Sequence, residues 1–163
     1  MSFRICVLFS LLAYTAVAAA VPPALADQYG VTSGLDNYAN RPVLVIVASG
    51  RKLRWIGQWE KAIRAKVPEL VSLRVADITD DPKPAETEVA ALLRERAPPG
   101  ISILIDMQNT WAVTYKLDTR EPCLLLLDGE HNVVAQFRGR PKGPLVDEVA
   151  EALRSYFPAA PVS

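Results

Sequence analysis

Residues 120–140 read R-E-P-C-L-L-L-L-D-G-E-H-N-V-V-A-Q-F-R-G-R, and this stretch decides the fold. Residues 123–127 are a continuous apolar run, Asp128-Gly129 is a turn dipeptide, and residues 132–137 form a second run, so the unit reads as an antiparallel hairpin. Both runs are too apolar to face water on either side, which predicts a sheet covered by helices on both faces. Pro122 stands just before the first strand, where a proline removes no ladder bond. The bond preceding it is a candidate for the cis form.

Working outward, the upstream chain alternates strand and helix patterns. Pro42 introduces a buried-strand run over 43–48, closed by Ser49-Gly50. From about residue 53 to 66, Ile56, Trp59, Ile63 and Val67 lie on one helical face, with Trp55 and Ala62 beside it. Residues 70–76 read as a second strand and 77–83 as an acidic, proline-containing loop. Pro84 opens a helix to Arg96 with Glu86 and Glu88 early, Arg94 and Arg96 late, and Val89, Leu92 and Leu93 inward. Pro98-Pro99-Gly100 stops it. A third strand is expected at 101–105, then a short helix carrying Trp111, Ala112 and Tyr115. Downstream of the hairpin, Gly143-Pro144 opens a last helix with Leu145, Val149, Leu153 and Tyr156 or Phe157 on its inner face. The fold class is therefore α/β, a central mixed β-sheet flanked by helices.

The ends of the chain have separate roles. The first 26 residues look like an export signal: Arg4 supplies the positive end, an apolar run follows, and Ala24-Leu25-Ala26 offers a small-x-small cleavage pattern before Asp27. The expected location is then periplasmic or extracellular, and a membrane enters only if this segment stays uncleaved. Residues 27–41 form a polar lead-in, loop or short edge strand; 42–157 form the domain; 158–163 form a frayed tail. The 163 residues carry 18 basic and 18 acidic side chains. Losing the segment with Arg4 and no acid leaves 17 against 18, so nothing suggests a nucleic-acid binder.

Cysteine usage limits the chemistry. Cys6 falls in the signal, leaving Cys123 alone, so the exported domain has no internal disulfide. One Cys and one His, His131, build no recognisable metal site, and no cofactor motif is present. His131 is placed, solvated, in the hairpin turn.

The run P-C-L-L-L-L-D-G, a second strand, R-G, then K-G-P-L and an amphipathic helix over 122–153 resembles the C-terminal half of thioredoxin. The segment carrying Trp111 ahead of it resembles the exported redoxins of that superfamily, and the likeness extends over about 42–157. It implies a thioredoxin-like fold. Active members carry C-x-x-C between the first long strand and the first helix, where the helix N-terminus lowers a thiol pKa. Here that stretch is A-S-G-R-K-L-R-W, so Arg51 and Arg54 fall where the cysteines would be. The scaffold carries over and the dithiol chemistry does not.

Three features remain as candidates. Arg51, Lys52 and Arg54 sit at a helix start that already favours anions. The resemblance implies that the loop before Pro122 and the end of the hairpin bring Arg120, Arg138 and Arg140 to the same place, forming a basic cleft for a small anionic ligand or an acidic partner segment. The bland alternative is a set of solvated side chains on exposed loops. Cys123, after Pro122, is either a small buried residue or, in the alternative reading, a one-cysteine redox site acting with a thiol on another protein. Trp59 and Trp111 fit apolar helical faces, whereas Trp55 in the first turn is partly buried or forms a partner-binding rim. The resulting expectation is a non-catalytic binding or accessory module; a purely structural subunit is the third reading.

Overall fold

The computed structural model describes residues 21–79 and 82–156. Most of the expected signal segment, residues 1–20, and the expected tail, 158–163, lie outside the described residues, as does Phe157. Two short strands come first, β1 (Leu25–Ala26) and β2 (Thr32–Ser33), paired antiparallel, then a 3-10 turn at Leu35–Tyr38. Next are β3 (Val43–Ser49), a 3-10 turn at Gly50–Lys52, α1 (Arg54–Arg64), β4 (Ser72–Asp77), α2 (Glu86–Arg96) and β5 (Leu104–Asp106). The chain continues with α3 (Thr110–Tyr115), β6 (Cys123–Leu127), β7 (Val133–Arg138) and α4 (Gly143–Tyr156). The main sheet is ordered β5-β4-β3-β6-β7. β3 runs parallel to β4 and antiparallel to β6, so the sheet is mixed.

The alternation of side chains along β3 explains its unbroken hydrophobic sequence. Leu44, Ile46 and Ala48 join Ile56, Trp59 and Ile63 of α1, Val89 and Leu93 of α2, and the inner side of α4. Val43, Val45 and Val47 point to the opposite face and join Leu35, Trp111 and Leu125. Because both faces are covered, apolar side chains are favoured at every position. Trp59 and Trp111 are wholly buried, one on each face.

Several expectations change in detail. β6 is buried at every position, but β7 is the sheet edge and Val133 is 42% exposed. β7 pairs on one side only, so its outer edge has no neighbouring strand among the described residues. The hairpin is not closed by a two-residue turn. A loop over 128–132 intervenes, with the Asp128 carboxylate accepting the Glu130 and Asn132 backbone N–H groups and His131 in the left-handed region at φ 67°. His131 is thereby half-buried rather than freely solvated. Gly129 is required for a different reason: a Cβ there would stand 3.0 Å from the carbonyl carbon of Asn40.

The inner face of α4 is Val146, Val149, Ala150 and Leu153, whereas Leu145 is half-buried and Tyr156 is exposed. Their spacing of three, one and three is one stripe of a 3.6-residue helix, to which Leu145 is marginal. On α2, Val89 and Leu93 are buried and Leu92 is left half-exposed.

The third strand starts at Leu104 and not at Ile101, because the Gln28 side chain occupies the backbone of 101–103. Its Nε2 donates to the Ile101 carbonyl at 2.5 Å and its Oε1 accepts the Ile103 N–H at 2.9 Å. Beside it, the buried Asp27 carboxylate accepts from Ser102 Oγ (2.7 Å) and from the Tyr29 and Val31 N–H groups. Burial opposes the charge on Asp27, but these hydrogen bonds prevail and its pKa is lowered. The lead-in is thus a fixed strap that covers the β5 edge. It is tied down from β1 onward, two residues ahead of the expected cleavage point. No helix among the described residues is long and apolar enough to cross a membrane.

Candidate functional site

The site is built where β3 ends. The 3-10 turn holds Arg51 and Lys52, and Arg54 is the first residue of α1. Leu53 at the cap position offers no side-chain hydrogen bond, and the first turn of the helix carries Arg54 and no acid of its own. Trp55 follows, with the Arg54 guanidinium carbon 4.9 Å from its ring centroid and that of Arg140 5.2 Å away. Both are within cation–π range. The indole N–H of Trp55 is buried and has no acceptor among the described residues.

Arg140 reaches Trp55 because a second tryptophan fixes the chain behind it. Trp59 Nε1 donates to the Gly139 carbonyl at 2.9 Å, and the Gly139 N–H donates to the Pro122 carbonyl at 2.9 Å. Gly139 adopts φ 134°, which a residue with a Cβ rarely does. α1, the buried Pro122 and the 139–140 turn are therefore held as one unit.

Two carboxylates divide the remaining cations. Glu121 lies 3.7 Å from Lys52 Nζ and 3.7 Å from Arg140 Nε. Asp118 takes Arg120 at 2.5 Å and Arg138 at 2.7 Å. The hydrogen bond from Arg120, with the positive charge of Arg138, holds the Asp118 carboxyl down at about 2. The structure thus gathers Lys52, Arg54 and Arg140 around Trp55 and Glu121, and places Arg120 and Arg138 in a neighbouring group around Asp118. Arg51 lines a cleft between α1 and α2, as does Arg54. Asp118 and Glu121 escaped sequence reading because lone acids in loops are common. The alternation D-T-R-E over 118–121 was the available signal.

Cys123 begins β6 and is wholly buried. Its Sγ donates to the Asp118 carbonyl at 3.3 Å and lies 3.5 Å from that of Glu121. Burial pushes the thiol up to about 11, with the charges of Asp118 and Asp77 adding to the effect against Arg138. At neutral pH almost no thiolate forms, and the thiolate is the nucleophile.

A second polar cluster was invisible in the sequence. Glu60 on α1 is buried and reaches β4, where its Oε2 accepts from Arg74 Nε at 2.6 Å and its Oε1 accepts from Arg74, Arg64 (2.9 Å) and Ser72 Oγ (2.9 Å). Burial opposes its charge, but the hydrogen bonds from Arg74 and then Arg64 outweigh it and lower the pKa.

No protein-family model and no curated protein matches the chain. Solved structures do. The exposed lipoprotein thioredoxin of Streptococcus pneumoniae aligns with TM-score 0.65 and 15% identity, over 80% of this chain and 98% of its own. A secreted disulfide oxidoreductase of Mycobacterium tuberculosis aligns with TM-score 0.57 and 9% identity, over 81% and 94%. Yeast Sco1 aligns with TM-score 0.61 and 20% identity, over 88% and 99%. The chain has the thioredoxin-like fold that these proteins share.

Proposed function

We propose that this thioredoxin-like chain is an exported binding or accessory module without dithiol chemistry, and that it holds an anionic ligand or an acidic partner segment at the α1 N-terminus. The observation that carries the reading is the flanking of Trp55 by Arg54 and Arg140 at 4.9 and 5.2 Å, where a redox thioredoxin would present its cysteines. Guanidinium groups bind carboxylates and phosphates through paired hydrogen bonds. Cations crowded on a helix N-terminus oppose its dipole, so a bound anion relieves that conflict. The site offers Lys52, Arg54 and Arg140, with Arg120 and Arg138 beside them, against Asp118 and Glu121, an excess of positive charge. Export rests on the signal-like first 26 residues and agrees with the secreted and surface-exposed neighbours in fold.

The test is titration of fluorescein-labelled hexaglutamate, followed by anisotropy at low and physiological salt. Arg54→Ala and Arg140→Ala are each expected to weaken binding about tenfold, the loss of one charge-assisted hydrogen bond. Added salt should weaken the parent as well. Binding unchanged in both variants, or equal binding of hexalysine, contradicts the reading. The alternative redox role for Cys123 gains nothing from a thiol that is buried and pushed up to about 11.

A further inference from the structure

A cleft of about 840 Å³ lies between α1 and α2 and opens on the face away from Cys123. It is within the size range of ~300–1,000 Å³ typical of small-molecule sites. Its lining includes the cations Arg54, Lys61, Arg64, Arg74 and Arg96, and Glu60 is the one carboxylate among the described lining residues. Glu60 is already engaged by Arg74, Arg64 and Ser72, so it answers neither Lys61 nor Arg96. Lys61 on one wall and Arg96 on the other are exposed and have no carboxylate partner among the described residues. The walls between them are apolar, with Leu53, Leu92 and Ile101 left half-exposed by the gap between the helices.

A smaller cavity of about 300 Å³ continues from the first, sharing Gly50, Leu53 and Leu92 and ending at Ile78, Pro84 and Val89. Glu88 stands at that end. Among the described residues the combined groove is therefore cationic at one end and apolar, with Glu88 as its acid, at the other.

We propose that this groove binds a single-chain amphiphilic anion, a medium-chain fatty carboxylate. Its head lies between Lys61 and Arg96, and its alkyl chain runs past Leu53 and Leu92 toward Ile78 and Val89. The excess of cations selects a negative head. The Glu88 carboxylate repels that head from the far end and so sets its direction. The apolar walls make affinity grow with chain length. This site adjoins the Trp55 cluster and shares Arg54 with it, but neither Trp55 nor Arg140 lines it.

The experiment is isothermal titration of the folded chain with octanoate, decanoate and dodecanoate below their micellar concentrations. Dodecyltrimethylammonium and a neutral dodecyl ethylene-glycol ether serve as controls. The expected result is one saturable site, tightening about two- to fourfold per added methylene, with the cationic and neutral amphiphiles at least tenfold weaker. Arg96→Glu and Lys61→Glu, both at exposed positions, are expected to weaken dodecanoate about tenfold or more. Leu92→Glu should abolish binding while the helical circular dichroism persists, and Arg140→Ala should leave dodecanoate affinity unchanged. Equal binding of the three dodecyl head groups overturns the proposal, as does no gain with chain length or full affinity in Arg96→Glu. If an amphipathic acidic peptide binds in a Leu92-dependent way and dodecanoate does not, the groove serves a peptide and the proposal fails.

Discussion

Replacing Glu60 with alanine should unfold this protein more readily than any change at its basic end. The Glu60 and Arg74 side chains are 11% and 12% exposed, so the substitution leaves a guanidinium largely out of water without its partner. Breaking a buried pair in this way costs about 3–5 kcal/mol. The lower end applies, about 3 kcal/mol, because Arg74 keeps a contact to the Ser102 carbonyl at 3.4 Å. Arg64, whose side chain is 43% exposed, turns to solvent and adds little. At about 2–4 °C per kcal/mol, Tm falls by about 6–12 °C. Urea unfolding followed by the fluorescence of buried Trp59 and Trp111 measures the loss. Glu60→Met combined with Arg74→Leu should recover most of it, since an apolar pair leaves no buried charge. The pH dependence has a definite sign. The folded pKa of Glu60 lies below its ordinary 4.5, so its contribution is complete above that value and fades as pH falls through the folded value. The gap between parent and Glu60→Gln should therefore narrow below about pH 4.5. A loss under about 1 kcal/mol, or a double variant as damaged as the single, would refute the reasoning.

Other substitutions test other parts of the account. Asp118→Asn should strengthen hexaglutamate binding by releasing Arg120 and Arg138. Its parent carboxyl, lowered from 3.8 to about 2, contributes stability above 3.8 that fades toward about 2, and acid titration of the variant should lack that step. Trp59→Phe removes the donor to the Gly139 carbonyl and should cost about 1–2 kcal/mol in urea unfolding, with weaker hexaglutamate binding because Arg140 is no longer fixed beside Trp55. Gly129→Ala forces its Cβ against the Asn40–Arg41 backbone and should cost about 1–3 kcal/mol, with faster hydrogen exchange at the Asn40 amide, which donates to the Gly129 carbonyl at 3.0 Å. Cys123→Ala should be tolerated at about 1–2 kcal/mol, with hexaglutamate affinity unchanged.

What could be read in advance follows from the range of the forces involved. β6 was legible to the residue, because full burial on both faces leaves Cys123 to Leu127 no polar position. The burial of Ile56, Trp59 and Ile63 was legible from helical periodicity. Edge status is not a local property, so β7 looked like its neighbour until the strand order was known. The same holds for the strap at Asp27 and Gln28, which is tied to Ser102 and Ile103 more than seventy residues away. Glu60 and Arg74 are fourteen residues apart on different elements, and no spacing rule joins them. At the candidate site the cations were legible, whereas the carboxylates that divide them were not. Arg51 was grouped with Arg54 by adjacency, and both line the α1–α2 cleft, which the sequence did not disclose.

We propose a thioredoxin-like scaffold that carries no dithiol chemistry. Thiol titration with a disulfide reagent, native and unfolded, tests it most directly, using the Cys6→Ser chain so that Cys123 alone is counted, together with an insulin-reduction assay on the same sample. The account predicts no reactive thiol in the native protein, one on unfolding, and no insulin turnover. A native thiol that reacts at neutral pH, with measurable turnover lost in Cys123→Ser, would contradict it.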